Sequence, residues 1–125
     1  MIKLVMCVAR RPELSREAFQ QYWHNHHGPL LQKFAAAYKV KRYVQSHTLD
    51  TPLNQAVQNS RGIPREYDGI AELWWKSETD FLDAINSAEG QKLRTVFLDD
   101  EAKFLDFSNC AAFFTREYIL VDEQD

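Results

Sequence analysis

Three histidines lie close together in the segment YWHNHHGP, residues 22–29, which is the densest group of polar side chains in an aromatic setting. On a predicted helix, His24 and His27 share a face while His26 points away, so the three do not converge as the ligands of a metal must. We predict that His24 and His26 lie in solvent. His27 precedes Gly28-Pro29 at a predicted helix end, and imidazole titrates in the pH range that acid–base catalysis uses. We therefore predict His27 as a catalytic residue and expect no metal.

A row of polar side chains follows a predicted strand from Val40 to Thr48. Because alternate residues of a strand share a face, Tyr43, Gln45 and His47 present a hydroxyl, an amide and an imidazole to the same side. Such a row can line a pocket, with Tyr43 and His47 as catalytic groups and Gln45 as a substrate-binding group. The alternative is an edge strand whose polar face meets water.

Glu72 is a third candidate, because its carboxylate lies between Ile70 and Trp74 on a strand that is apolar on both faces. A carboxylate there must be desolvated unless it has a partner. Burial raises the pKa of a carboxyl group, whereas a neighbouring cation lowers it. A histidine or Arg42 is a candidate partner, and Glu72 would then act as a catalytic base, orient His47 or form a structural ion pair.

Aromatic side chains are abundant, since Phe, Tyr and Trp make up 13% of the 125 residues. Tyr22, Trp23 and Trp74 lie near the titratable candidates in sequence, and we predict that they form the walls of a substrate pocket. Most of the phenylalanines suit packing between helices and sheet. Glu101 and Asp106 are assigned to solvated positions on a helix and at its end.

The predicted elements that must position these residues alternate between strands and helices. Ser15 is a good N-cap for the helix that begins at the next residue, and Ser77 and Ser87 open two later helices. Gly28-Pro29 predicts a stop and a restart. The polar connection at residues 49–66 is long enough to form a lid. The predicted strands cover Ile2 to Ala9, Val40 to Thr48, Gly69 to Trp75 and Cys110 to Val121. The short second helix is predicted from Leu30 to Ala37.

The order β-α-β-β-α-β is that of the ferredoxin-like fold, an α+β architecture whose antiparallel sheet carries its helices on one face. Three of the four predicted strands are apolar on both faces, so a single copy would expose a large apolar patch. We therefore predict a homodimer in which two sheets pack face to face, a dimeric α+β barrel. Residues 1–125 are predicted to form one such domain, with a frayed tail at 122–125.

Charge and hydropathy exclude several classes of protein. The net charge is −3, the sequence pI is about 5.8 and no cluster of Lys or Arg forms a basic stripe, so nucleic acid is not expected as a partner. No apolar run has the roughly 20 residues that a membrane span needs, and the first residues do not fit a signal peptide. We therefore expect a cytoplasmic protein without membrane contact, with Cys7 and Cys110 as buried, reduced thiols.

The segments KLVMCVARRPELSREAFQQYWHNHHGPL, RYVQSH, YDGIAELWW and EAKFLD together resemble the EthD-type family of dimeric α+β barrel proteins, over nearly the whole chain. The resemblance implies a ferredoxin-like fold, dimerisation through the sheets and a cofactor-free pocket lined by His, Tyr and aromatic residues. The positions that match the family's functional residues are His27, Tyr43, His47, Glu72 and Trp74.

The resemblance does not imply a single activity, because the family and its relatives include isomerases, decarboxylases, cyclases and an accessory protein of ether degradation. The isomerase branch has a Cys where this chain has Leu73, and a His in the long loop, which residues 49–66 lack. Muconolactone-type isomerisation is therefore not expected.

The sequence favours a cofactor-independent isomerase or lyase that moves protons on a small cyclic or aromatic carbonyl substrate. In this interpretation His27 or His47 is the general base, and Glu72 sets an imidazole tautomer. One alternative is a non-catalytic ligand-binding or accessory protein that supports an oxygenase in the catabolism of ethers or aromatics. Another is a cofactor-free or haem-dependent oxygenase.

Overall fold

The structure is a computed structural model that describes residues 1–124 of the chain. Its strands are β1 (Ile2–Val8), β2 (Arg42–His47), β3 (Gly69–Trp75) and β4 (Ala111–Thr115). Its α-helices are α1 (Arg16–Tyr22), α2 (Gly28–Phe34), α3 (Pro52–Arg61), α4 (Glu78–Asn86) and α5 (Ala88–Glu101). A π-helical turn covers Trp23–His27, and a 3₁₀ turn covers Phe107–Asn109.

The strands form one sheet in the order β2-β3-β1-β4, in which every neighbouring pair is antiparallel. The register places Leu4 of β1 between Leu73 of β3 and Phe114 of β4. On the edge strand, Tyr43 lies opposite Leu73. This strand order and connectivity define the ferredoxin-like fold, which confirms the predicted α+β class.

Serine caps begin three of the helices, as predicted. The hydroxyls of Ser15, Ser77 and Ser87 each accept a hydrogen bond from the backbone N–H three residues later, at 3.1, 3.1 and 2.9 Å. Each bond satisfies a first-turn N–H that no helical carbonyl can reach, and such a cap contributes about 1 kcal/mol.

The hydrophobic core lies between one face of the sheet and the helices, and aromatic rings fill most of it. The ring of Phe19 lies 5.5 Å from that of Trp23 and 5.6 Å from that of Phe104, between centroids. The largest fully buried side chains are Trp23, Trp75, Phe19, Phe104 and Val8.

The opposite face of the sheet, called here the open sheet face, carries the alternate residues of each strand. Ile70 and Phe113 on this face are 38% and 50% exposed. An apolar surface of this kind is typical of an interaction surface, and this is the face on which the sequence predicts dimerisation. The open sheet face comprises Lys3, Val5, Cys7, Arg42, Val44, Ser46, Ile70, Glu72, Trp74, Ala111, Phe113 and Thr115.

The helix stop predicted at Gly28-Pro29 is wrong, because α1 continues through the π-helical turn into α2. Gly28 keeps helical dihedral angles, φ −55° and ψ −54°, and its N–H donates to the carbonyl of Trp23, five residues earlier. A proline ring normally clashes with a carbonyl in the preceding helical turn. The wider π turn relieves this clash at Pro29.

The π turn also explains why four residues spaced four apart are all buried: Phe19, Trp23, His27 and Leu31. Four residues of an α-helix exceed a full turn by about 40°, so three such steps would rotate Leu31 by about 120° from Phe19. A π turn holds more residues per turn and cancels most of this rotation. His27 therefore faces the core on the same side as Trp23.

The connection at residues 49–66, which the sequence predicts to be long enough to form a lid, contains the helix α3 over more than half of its length. The hydroxyl of Thr51 accepts a hydrogen bond from the N–H of Leu53 at 3.3 Å at the start of this helix. Gly62 ends the helix at φ 66°, a left-handed conformation that favours glycine.

The last strand is shorter than predicted, ending at Thr115 instead of Val121. Thr115 pairs with Lys3, near the start of β1, so the residues that follow run past the end of that strand. Without a neighbouring strand they have no partner for ladder hydrogen bonds, and residues 116–121 are exposed and form neither helix nor strand.

Within residues 1–124, no helix has both the length and the apolar character that crossing a membrane requires. Residues 122–124 form neither helix nor strand. The last residue of the predicted frayed tail, Asp125, lies outside the described residues.

Gly69→Ala is expected to lower the free energy of unfolding by about 1–3 kcal/mol, the usual cost of overpacking a core. A Cβ at this position would lie 2.5 Å from the ring of Trp23 and 2.7 Å from the carbonyl oxygen of Ser46. The ring of Trp23 and the backbone of β2 at Ser46 therefore both have to shift. Urea denaturation of both proteins measures the loss, and equal midpoints would show that Trp23 is not held against β3.

Candidate active site

A cavity of about 190 Å³ lies between the sheet and the helices. Seven of the side chains that line it are aromatic, and few are ionisable. An apolar cavity with a small number of polar groups is the usual form of a small-molecule site. The aromatic lining residues are Trp23, Tyr38, Tyr43, Trp75, Phe81, Phe97 and Phe104, and His27, Arg94 and Glu101 add the other ionisable groups.

A larger, more open groove of about 750 Å³ follows the outer edge of β2 and shares Tyr43 with the cavity. His27 and Glu101 line the cavity but not this groove. The cavity combines titratable groups with apolar walls, so we take it as the candidate active site.

His27 is held by a buried carboxylate. Its Nδ1 lies 2.7 Å from Oδ2 of Asp100, and the hydroxyl of Tyr22 donates to Oδ1 of the same carboxylate at 2.5 Å. The side chains of His27 and Asp100 are only 6% and 7% exposed. Because a carboxylate only accepts hydrogen bonds, the proton of the neutral imidazole is on Nδ1 and the basic lone pair is on Nε2.

The environment sets the charge of each member of this trio. Burial lowers the pKa of His27, against an opposing effect of Asp100, so the ring is mainly neutral at pH 7. Burial alone would raise the pKa of Asp100, but hydrogen bonds from Tyr22 and His27 outweigh it and lower that pKa. Burial, with a further contribution from Asp100, raises the pKa of Tyr22 to about 12. The trio can therefore accept a proton at Nε2 and stabilise the resulting imidazolium with Asp100.

The polar row predicted on β2 is a hydrogen-bonded chain. Nε2 of Gln45 donates to Oη of Tyr43 at 2.7 Å and to the carbonyl of Trp23 at 3.0 Å. Oε1 of Gln45 accepts from Nε2 of His47 at 2.9 Å. Since Oη of Tyr43 already accepts a bond, its own proton is left to donate to a ligand. Burial raises the pKa of Tyr43, which keeps this hydroxyl protonated.

His47 lies outside the lining of the cavity, next to Trp23. Its ring stacks on the Trp23 ring at a centroid distance of 4.6 Å. Burial, and then the nearby His24, lower its pKa. The structure thus brings His27 and Tyr43 into the cavity, while His47 contacts the site through Gln45 and Trp23.

Glu72 and Trp74 are on the open sheet face, and this corrects their predicted placement beside the histidines. The physical reason is strand alternation, because both residues alternate with Leu73, which faces the core. Oε2 of Glu72 lies 2.8 Å from Nζ of Lys3, so Glu72 forms an ion pair with Lys3 and not with the predicted Arg42 or a histidine. Nε1 of Trp74 donates to Glu117 at 2.7 Å. Neither side chain lines the cavity.

Sequence reasoning missed two acids at the end of α5, Asp100 and Glu101. Glu101 lines the cavity instead of facing solvent as assigned. Burial, with repulsion from Asp100, raises its pKa to about 7. A signal was present, because Leu93, Phe97 and Glu101 recur every four residues, which places an acid on the apolar side of an amphipathic helix.

The two cysteines are free and half-buried, and burial raises the pKa of both Cys7 and Cys110. They are therefore neutral thiols and weak nucleophiles at pH 7. Over residues 1–124, no three side chains of His, Cys, Asp or Glu come together as a candidate metal site.

The fold and the cavity define an α+β protein of the ferredoxin-like class with a histidine–carboxylate pair in an aromatic site. The model of the EthD domain matches residues 11–108, most of the chain. The chain therefore belongs to the EthD domain family. A comparison with curated protein sequences finds no significant match.

Several solved structures share the fold at low sequence identity. An EthD family protein from Bacillus halodurans has a TM-score of 0.62 at 18% identity, over 94% of this chain and 99% of that chain. A hydroxynitrile lyase from Passiflora edulis has a TM-score of 0.59 at 15% identity, over 97% of this chain and 96% of that chain. A dimeric ferredoxin-like protein of unknown function from Thermobifida fusca has a TM-score of 0.57 at 14% identity, over 91% of this chain and 88% of that chain. At these identities the likeness concerns the fold alone.

Proposed function

We propose that this protein is a cofactor-independent acid–base enzyme, an isomerase or a lyase, that acts on a small cyclic or aromatic carbonyl compound. The observation that carries the proposal is the buried pair of His27 and Asp100 at the wall of an aromatic cavity. Isomerisation, decarboxylation, dehydration and cyclisation of such compounds share one step, the formation of an enolate or related carbanion next to a carbonyl. A positioned base and a donor to the carbonyl oxygen are the groups that this step needs.

In the proposed mechanism His27 is the base and Asp100 is a positioning residue. The neutral imidazole removes a proton from the carbon next to the carbonyl through Nε2. Asp100 fixes the tautomer and stabilises the imidazolium that forms. The hydroxyl of Tyr43 donates to the substrate oxygen as negative charge develops there. General acid–base catalysis of this kind contributes about 10²–10⁴-fold to a rate.

The lining of the cavity supports the substrate class. Aromatic rings stack on, or meet edge to face, a flat ring of the ligand. A volume of about 190 Å³ suits a compound with one or two rings. The similar fold from Passiflora edulis is that of a lyase, which agrees with a lyase among the proposed activities.

Hydrogen exchange in D₂O tests the proposal without knowledge of the natural substrate. The full chain is incubated with cyclohexanone, 1-tetralone or 2-tetralone, and the loss of the protons next to the carbonyl is followed by ¹H NMR. We expect exchange of at least one ketone well above the rate in buffer. Exchange at the buffer rate for all three, with a ketone bound in native mass spectrometry, would instead support a non-catalytic ligand-binding or accessory protein.

The proposal includes a homodimer formed through the open sheet face. This face exposes Ile70 and Phe113 beside the half-buried ion pair of Lys3 and Glu72. A second copy of the same face would cover these apolar groups in an isologous interface. The fold neighbour from Thermobifida fusca is described as dimeric, which agrees with this arrangement.

Phe113→Asp is expected to convert the dimer into a monomer, because the second copy would have to desolvate a carboxylate where an apolar ring packs in the wild type. Phe113 is 50% exposed in the single copy, so its replacement leaves the core intact. Light scattering coupled to size-exclusion chromatography measures the mass. Leu53→Asp, at a 70% exposed position of α3, is the matched control and keeps the dimer. A dimer of Phe113→Asp would contradict the proposed interface.

A further inference from the structure

Glu101 is an unpaired carboxyl group at the wall of the cavity. Within residues 1–124 the side chain of Glu101 makes no hydrogen bond and no ion pair. In the same residues, every side-chain N or O atom that is completely buried has a hydrogen-bond partner. The oxygens of Glu101 therefore border open space, and Glu101 lines the cavity together with His27. A half-buried carboxyl with no internal partner is costly unless it is neutral or serves a ligand.

The position of Glu101 in α5 favours the neutral acid. Arg94 lies three and four residues before Phe97 and Leu98, and these two lie four and three residues before Glu101. All four line the cavity, so one side of the helix presents them together. Glu101 is the last residue of α5, where the negative end of the helix dipole disfavours a carboxylate.

Charged and titratable groups from several elements face Glu101. Burial, and then the adjacent carboxylate of Asp100, raise the pKa of Glu101 to about 7. His27 is mainly neutral at pH 7. Tyr38 and Tyr43 keep their protons because burial raises the pKa of each hydroxyl. The groups around Glu101 are Asp100 and Arg94 of α5, His27 of the π turn, Tyr38 after α2, Tyr43 of β2 and Cys110 before β4.

We propose that Glu101 is the proton donor to the carbonyl oxygen of the substrate, so that the cavity works with two proton-transfer groups, His27 and Glu101. This inference rests on the proposed function and deepens it. It limits the substrates to compounds with a ketone or aldehyde oxygen and an acidic C–H bond beside it. Tyr43 hydrogen-bonds the oxygen but holds its proton too tightly to give it up near pH 7, whereas Glu101 can transfer its proton.

The proton transfers balance without a further reactant. Nε2 of His27 takes a proton from the carbon next to the carbonyl, and the C–H electron pair becomes the C=C bond. The π pair of the C=O bond moves to oxygen, which takes the proton of Glu101. The products are an imidazolium beside Asp100, a carboxylate at Glu101 and a neutral enol. His27 then returns its proton to the same or another carbon while the enol returns its proton to Glu101.

The pH dependence of Glu101→Gln tests the role in exchange of 2-tetralone. In the wild type the rate should fall as the pH rises through about 7, because the ionised acid no longer donates. In Glu101→Gln this fall should disappear, and the maximal rate should drop by about 10²-fold, with little change in KM because the amide still donates a hydrogen bond. Asp99→Asn is the matched control and should keep the wild-type profile, since it makes the same change from acid to amide at an exposed position beside the site. A Glu101→Gln variant with the wild-type profile would overturn the proposal.

Carboxyl ¹³C NMR of glutamate-labelled protein separates this inference from the proposed function. The signal that is absent in Glu101→Gln should titrate near pH 7, and saturating 2-tetralone should move its midpoint upward, because a ketone oxygen binds only the protonated acid. An upward shift without catalysed exchange would remove the enzyme proposal and keep Glu101 as a donor to a ligand carbonyl. An unmoved midpoint, or no binding of 2-tetralone, would overturn the role of Glu101 whatever the exchange rates.

Discussion

Replacing His27 by glutamine is expected to slow the exchange of protons next to a ketone by about 10²–10⁴-fold, the usual contribution of a positioned general base. Glutamine keeps much of the volume of the ring and can still donate to Asp100, but it has no basic nitrogen. The affinity for the ketone should change little, because the aromatic walls remain. Exchange rates from ¹H NMR and dissociation constants from calorimetry measure the two effects separately.

His24→Gln is the matched control for His27→Gln. His24 is exposed on the same helical segment and lies outside the lining of the cavity. Its replacement should leave the exchange rate unchanged, and thermal unfolding should show that both variants fold. Equal rates in the wild type and His27→Gln would exclude His27 as the base.

Asp100→Asn is expected to reduce the exchange rate by a factor on the order of 10²–10⁴, as for the loss of the carboxylate from other histidine–aspartate pairs. The amide nitrogen of asparagine can donate to Nδ1 of His27, which moves the ring proton to Nε2 and removes the basic lone pair from the cavity. The pKa of His27 should also fall further, because both effects of Asp100 on it are upward. ¹⁵N NMR of the imidazole reports the tautomer and the pKa alongside the rate.

Tyr22→Phe separates the tautomer effect from a general weakening of the site. It removes the second hydrogen bond to the Asp100 carboxylate, at 2.5 Å, but leaves the bond to His27 in place. The loss of one hydrogen bond of this kind costs about 1–3 kcal/mol of stability, while the proton stays on Nδ1 and the rate falls far less than in Asp100→Asn. A wild-type rate in Asp100→Asn with the proton on Nε2 would contradict the assigned roles.

Local chemical signals made much of the fold predictable. β3 has its predicted bounds because Asp68 and Lys76 enclose a seven-residue run that is apolar except for Glu72. The helices after Ser15, Ser77 and Ser87 begin as predicted because the hydroxyl at each position caps the first turn. β4 was predicted too long because its length depends on where its partner β1 begins. The residues of the last segment give no information about that point.

The candidate site was predictable where a local sequence pattern marked its residues, at His27 and along β2. Alternation along β2 placed Tyr43, Gln45 and His47 on one face, and they form one hydrogen-bonded chain. The side of the sheet on which Glu72 lies could not be predicted, because β3 is apolar on both faces and alternation does not show which face packs on the core. Asp100 is 73 residues from its partner His27 in sequence, so their contact follows from tertiary packing alone.

The π-helical turn links the length of one short segment to the chemistry of the cavity. Trp23 and Leu31, both buried, are eight residues apart, whereas an α-helix returns to nearly the same side after about seven. The segment therefore holds one residue more than the core requires, and removing one of residues 24–26 would let a regular helix bury the same two side chains. His27 would then project from a different position relative to Asp100. In the proposed function, the number of these three exposed residues therefore sets where His27 projects relative to Asp100.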